Sequence, residues 1–195
     1  MNVAVVKYNA GNICSVDCAL RRLGIEPVIT DDETLLRTAD KVIFPGVGEA
    51  ASTMRYLRER GLDRVIRSLT QPVLGICIGM QLMCRHSEEG DVDCLGIFDA
   101  DVHRFSPAAG EKIPHMGWNS LYRVDDRMFP AGVEGQYVYF VHSYYVPPCP
   151  DTTAVTDYIH PFSAALHKDN FYAMQFHVEK SGAAGERILN HFLNL

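Results

Sequence analysis

The first 85 residues alternate between short apolar runs and stretches whose apolar positions recur three and four residues apart. Val3–Val6 is apolar and β-branched, as a buried strand requires, and Ile13, Val16, Leu20 and Leu23 follow at helical spacing until Gly24 closes the helix. Residues 27–29 begin another extended piece. The apolar run 41–44 is stopped by the loop Pro45-Gly46-Val47-Gly48. Ala50, Met54 and Leu57 then mark one helix face before Gly61, and the apolar run 72–76 leads into a helical stretch carrying Met80, Leu82 and Met83. Apolar strands separated by amphipathic helices predict an α/β fold: a parallel sheet covered on both faces, with ligands at the C-terminal strand ends.

From about Leu95 the texture becomes β-rich, with extended segments at 118–124, 137–141, 163–166 and 171–176 and with Pro and Gly between them. These are expected as antiparallel or mixed strands added to the sheet. Ile188, Leu189, Phe192 and Leu193 form one face of a last helix that starts near Ser181 as its N-cap. There is no internal repeat, linker or low-complexity segment, and a length of 195 residues predicts one domain, 1–195.

Composition narrows the function classes. Hydrophobic residues at 47% supply a sizeable core and exclude disorder for most of the chain. Lys and Arg total 18 against 24 Asp and Glu, and the longest basic run is Arg21-Arg22, so nothing would neutralise a row of phosphates and no nucleic-acid partner is expected. The start MNVAVVKYNAG lacks a basic, long apolar leader and no apolar run approaches ~18 residues, which predicts a soluble cytoplasmic protein without a membrane partner. The six cysteines are expected as free thiols. No metal is expected, because Cys14 and Cys18 have no nearby pair to complete a tetrahedral site, and both are expected in a helix core. No cofactor is implied.

The candidate chemistry begins at Gly75-Ile76-Cys77-Ile78-Gly79, between an apolar run and a helix, the thiol version of a nucleophile elbow. The glycines permit the close backbone approach that such a turn forces, the helix start favours thiolate, and the Ile78 amide would face an oxyanion formed by attack of Cys77. A buried structural cysteine is the alternative, so a base is needed. His177-Val178-Glu179 follows the run 171–176, and positions two apart on a strand share a face, which lets a carboxylate orient an imidazole. Cys77, His177 and Glu179 together make a nucleophile, base and orienter. The glycines of Pro45-Gly46-Val47-Gly48 can turn a second oxyanion amide inward. A phosphate cradle there lacks its third Gly and its Lys-Thr.

Several segments resemble class I, triad-type glutamine amidotransferases: the elbow continued as Met80-Gln81, the Pro45–Gly48 loop, Pro114-His115-Met116-Gly117-Trp118-Asn119, Tyr139-Phe140-Val141-His142-Ser143-Tyr144, and Gln175-Phe176-His177 with Glu179-Lys180-Ser181. The two middle segments are the most specific, and they resemble the glutaminase subunits of imidazole glycerol phosphate synthases of histidine biosynthesis. The resemblance spans the chain. It implies a flavodoxin-like three-layer sandwich that hydrolyses L-glutamine and passes ammonia to a separate (β/α)8-barrel cyclase subunit in a heterodimer. Cys77 would attack the carboxamide, His177 would shuttle the proton, and Glu179 would hold His177. The amides of Gly48 and Ile78 would bind the oxyanion. Gln81, Glu89, Ser143 and Tyr144 match positions that hold the amino-acid end of glutamine, and Asn12, Trp118, Tyr139 and Lys180 match the barrel interface.

The chain departs from the family pattern at Val178, where Pro is usual, and in Lys7-Tyr8-Asn9-Ala10, where an acidic, glycine-rich start is usual. The first is expected to be tolerated, and the second points to altered partner contacts. A γ-glutamyl hydrolase type of enzyme, a scaffold with an inert Cys77, and a paralogous pair that aminates a surface sugar remain open alternatives at this point.

Overall fold

The computed structural model describes residues 1–8, 13–107 and 110–195, and Asn12 lies outside them. The N-terminal half alternates as the apolar runs require: β1 Val3–Val6, α1 Ile13–Arg22, β2 Val28–Thr30, α2 Glu33–Thr38, β3 Lys41–Phe44, α3 Ala50–Glu59, α4 Leu62–Arg67, β4 Val73–Ile76 and α5 Ile78–Met83. Acidic side chains start two of these helices. Asp32 accepts from Leu35 N at 2.9 Å, and Glu49 accepts from Ala51 N and Ser52 N at 2.9 and 2.7 Å. The second half adds β5 His86–Ser87, β6 Val92–Asp93, β7 Asp101–Arg104, β8 His115–Ser120, β9 Tyr137–His142, β10 Tyr144–Tyr145, β11 Thr152–Tyr158, β12 His160–Lys168 and β13 Phe171–Met174. A 3₁₀ turn, Val178–Lys180, then leads into α6 Gly182–Leu193.

The central sheet has seven strands in the order β11-β12-β13-β4-β3-β1-β2. Pairing is parallel from β2 through β13, and β12 and β11 are added antiparallel at one edge. Side chains alternate across the pleat. Ala4, Val6, Val42 and Phe44 join a core with Leu36 of α2, Met54 and Leu57 of α3, Ile66 of α4 and Met80 of α5. Val3, Val5, Ile43 and Leu74 join the opposite core with Val16 and Leu20 of α1 and Ile188 and Phe192 of α6. The three-layer α/β sandwich with antiparallel strands in its second half is therefore as expected. Among the described residues no helix is long and apolar enough to cross a membrane.

Several local readings are corrected. Cys14 and Cys18 are exposed, because α1 buries Val16, Ala19 and Leu20, and positions two residues either side of Val16 fall on the far side of a 3.6-residue turn. The strand expected at 118–124 is divided: residues to Ser120 belong to β8, which pairs with β9 in a separate ribbon, and Tyr122 makes a single antiparallel bridge to Val155 of β11 at the edge of the main sheet. Ser181 occupies the N-cap position of α6 as expected, with its carbonyl accepting from Gly185 N at 3.1 Å, but its side chain makes no cap bond. Its hydroxyl donates to His177 O at 2.7 Å and accepts from Tyr139 N at 2.9 Å.

Candidate active site

Cys77 ends β4 and opens α5 with φ 54° and ψ −110°, a conformation that an L-residue keeps only when its surroundings hold it. They do so on both sides: Cys77 N donates to Met174 O at 2.7 Å and Cys77 O accepts from Gln81 N at 3.3 Å. The glycines let this turn sit against β3. A Cβ on Gly79 would lie 2.1 Å from Phe44 O, and one on Gly46 would lie 2.0 Å from Ile78 Cγ2 and 2.7 Å from Gly79 N. Because Phe44 O is sheet backbone and cannot swing away, Gly79→Ala is expected to destabilise the fold by about 3 kcal/mol. Chemical denaturation measures this, and an unchanged midpoint would mean that β3 yields.

His177 follows β13, the parallel neighbour of β4, and is fully buried. Its Nδ1 is 2.8 Å from Glu179 Oε1. The pairing arises differently from the strand-face reading, because β13 ends at Met174 and Glu179 lies in the 3₁₀ turn that folds back beneath the imidazole. Val178, where proline is usual, opens this turn and is buried in the core on the α1/α6 side. Burial pushes the His177 pKa down, but hydrogen bonds and charge from Cys77 and Glu179 outweigh it and raise the pKa to about 9. The imidazolium is thus the favoured form at neutral pH.

One cavity of about 310 Å³ collects Cys77, His177, Gly48, Ile78, Gln81, Glu89, Ser143 and Tyr144. Gly48 has φ 143°, which favours glycine. The base of its loop is held by Tyr8, whose buried hydroxyl donates to Pro45 O. Both Gln81 amide hydrogens are used, to Tyr144 O at 3.0 Å and Gln175 Oε1 at 2.9 Å, which leaves Gln81 Oε1 as an acceptor. Glu89 is held to the start of α3 through Ala50 N at 2.9 Å, and burial raises its pKa, so a cation in the cavity would be a favourable partner.

Trp118, Tyr139 and Lys180 stand apart from the cavity on one outer surface. Trp118 is 55% exposed and meets Tyr139 edge to face at 5.9 Å across the β8/β9 register, and its ring lies near Gly182, beside the exposed Lys180. Sequence reasoning missed Met116 and Tyr137, 63% and 61% exposed on the same ribbon face. Strand alternation from Trp118 and Tyr139 would have found them. Sequence reasoning read Tyr8 only within a segment of altered partner contacts, whereas the side chain is buried and holds the Pro45 carbonyl, and it gave no role to Gln175, whose amide points at Cys77 Sγ from 3.8 Å.

A strained cysteine elbow that shares a cavity with an imidazole–carboxylate pair, on a mostly parallel sheet, has the parts of a cysteine-nucleophile hydrolase. Residues 6–195 match the class-I glutamine amidotransferase family, and the chain belongs to it. Within that class it is a member of the family of the imidazole glycerol phosphate synthase subunit HisH. It is 66% identical to the Bacteroides thetaiotaomicron protein of that name and 48% identical to that of Escherichia coli K12, each over 100% of both chains. Among solved structures, it matches a GMP synthase component from Thermoplasma acidophilum with a TM-score of 0.76 at 21% identity, over 100% of this chain and 92% of that one. At that identity the likeness speaks for the fold alone.

Proposed function

We propose that this chain is the glutaminase subunit of an imidazole glycerol phosphate synthase, acting in the cytoplasm in histidine biosynthesis. It hydrolyses L-glutamine to glutamate and ammonia and passes the ammonia to a (β/α)8-barrel cyclase subunit with which it forms a heterodimer. The observation that carries the reading is the cavity that joins Cys77 and His177 to polar groups suited to an amino acid. The Cys77 thiolate attacks the carboxamide carbon, and the amides of Gly48 and Ile78 take the developing oxyanion. The C–N bond then breaks, ammonia leaves with a proton from His177, and a thioester to Cys77 remains. Neutral His177 next accepts a proton from water, whose oxygen attacks the thioester and releases glutamate and the thiolate. Glu179 orients the imidazole and favours its charged form.

The amino-acid end is recognised by opposite charges. Glu89 and the Gln81 carbonyl receive the α-ammonium, and the 143–144 segment supplies donors to the α-carboxylate. On the outer surface, the aromatic ribbon around Trp118 and Tyr139, with Lys180 beside it, docks the cyclase. Trp118→Ala is expected to weaken cyclase binding about thirtyfold, the effect of removing a central aromatic anchor. Titration calorimetry measures it, and unchanged affinity would remove Trp118 from the interface.

A further inference from the structure

We propose that His142 and His115 form a neutral imidazole relay that positions the glutamine-holding segment 143–144 by donating a directed hydrogen bond to the carbonyl of Tyr144. The inference deepens the glutaminase reading and rests on it for its kinetic consequence. The two histidines lie directly opposite each other in the β8/β9 register, both buried, with His115 Nδ1 3.0 Å from His142 Nε2. His142 Nδ1 lies 2.7 Å from Tyr144 O, and Asn119 Nδ2 lies 3.4 Å from His115 Nε2.

The direction of every bond follows from its end. A carbonyl only accepts, so His142 must carry its proton on Nδ1. Aromatic rings enclose both imidazoles: Phe162 and Phe105 lie 5.1 and 5.4 Å from His142, and Tyr158 and Phe140 stack on His115 at 4.0 and 4.9 Å. Burial lowers the pKa of His142 to about 3 and that of His115 to about 4, so each ring holds one proton at neutral pH. His142 Nε2 is then an acceptor, His115 donates from Nδ1, and His115 Nε2 accepts from Asn119. The other Asn119 amide hydrogen goes to Asp157 O at 2.8 Å, and Asn119 Oδ1 accepts from Ser120 N at 2.8 Å, which fixes the orientation of that amide.

Tyr144 O is where this chain of hydrogen bonds meets the site. The same carbonyl accepts from Gln81 Nε2, whose other hydrogen goes to Gln175, the residue directed at Cys77 Sγ. The relay thereby ties the segment carrying Ser143 and Tyr144 to the floor beneath the nucleophile. Losing the His142 donor frees that segment, which weakens glutamine binding more than it slows chemistry on bound glutamine.

The test compares His142→Phe with His142→Asn in the full chain assembled with its cyclase and acceptor, alongside long-range ¹H–¹⁵N correlation spectra of the wild type. His142→Phe is expected to raise KM for glutamine about tenfold with kcat within about threefold, and His142→Asn, whose Nδ2 replaces Nδ1 as donor, is expected to restore most of the KM. The spectra should show both imidazoles neutral and protonated at Nδ1. A KM unchanged in His142→Phe, an Asn variant no better than the Phe variant, or a proton on Nε2 of either ring would overturn the relay. If the wild type releases no glutamate, the glutaminase reading fails, while the spectra still decide the relay, as they do if a variant does not fold.

Discussion

Replacing Cys77 by Ala is expected to lower glutamate release by at least about four orders of magnitude while leaving the fold intact. Cys77 is the one thiol that lines the cavity among the described residues. In the proposed mechanism the amides of Gly48 and Ile78 act on an oxyanion only after a nucleophile has added, and His177, as a cation, would give up a proton rather than bond to carbon. Stability should respond differently. Cys77 sits at φ 54°, which costs any residue with a Cβ, so Cys77→Gly is expected to be equally inactive yet about 1 kcal/mol more stable than Cys77→Ala. Paired glutaminase assays and denaturant titrations check both statements. Residual activity above a hundredth of wild type in either variant would mean that another nucleophile operates.

Glu179→Gln is expected to cost about a hundredfold or more in kcat and to move the alkaline limb of the pH profile to lower pH. Glu179 Oε1 holds His177 Nδ1 at 2.8 Å in a buried pair, and its charge helps to raise the imidazole pKa to about 9. The group needed in its protonated form is the donor to departing ammonia, so activity falls as pH rises through the His177 pKa. With the carboxylate neutralised, burial gains weight, the proton leaves at lower pH, and the fall begins earlier. A glutaminase pH profile of both proteins measures the shift. An alkaline limb in the same place would assign it to another group.

The elements legible in the sequence are those whose burial is complete on both faces. β1, β3 and β4 each have every residue buried, so short apolar runs marked them, preceded in β3 by Lys41, and the glycine-flanked cysteine between β4 and α5 marked the elbow. The antiparallel half was harder. β11 carries Thr152, Thr153, Thr156 and Asp157, β5 and β6 have two residues each, and such segments gain their apolar contacts from partners that local periodicity does not name. At the site, residue types were readable and contacts were not. His177 and Glu179 meet through a 3₁₀ turn, the Ser181 hydroxyl turns from capping α6 to His177 O, and His115 meets His142 only because the ribbon register sets them opposite. Trp118 read as an interface residue only through the family resemblance, and its exposure follows from a ribbon that lies outside the main sheet.

Ammonia released with no acceptor wastes glutamine, so the proposed glutaminase is expected to be gated by its acceptor. The most direct test is glutamate release by the purified chain alone, with the barrel cyclase, and with the cyclase plus its ribulosyl-formimino acceptor, each beside Cys77→Ala. The Gly46-Val47-Gly48 loop is the expected switch, because a peptide flip costs least at glycine and would let the proposed partner set the Gly48 amide. Strong release only in the complete assembly, abolished by Cys77→Ala, is the expected result. Release by the isolated chain as fast as by the assembly would contradict it and would make this protein an independent hydrolase.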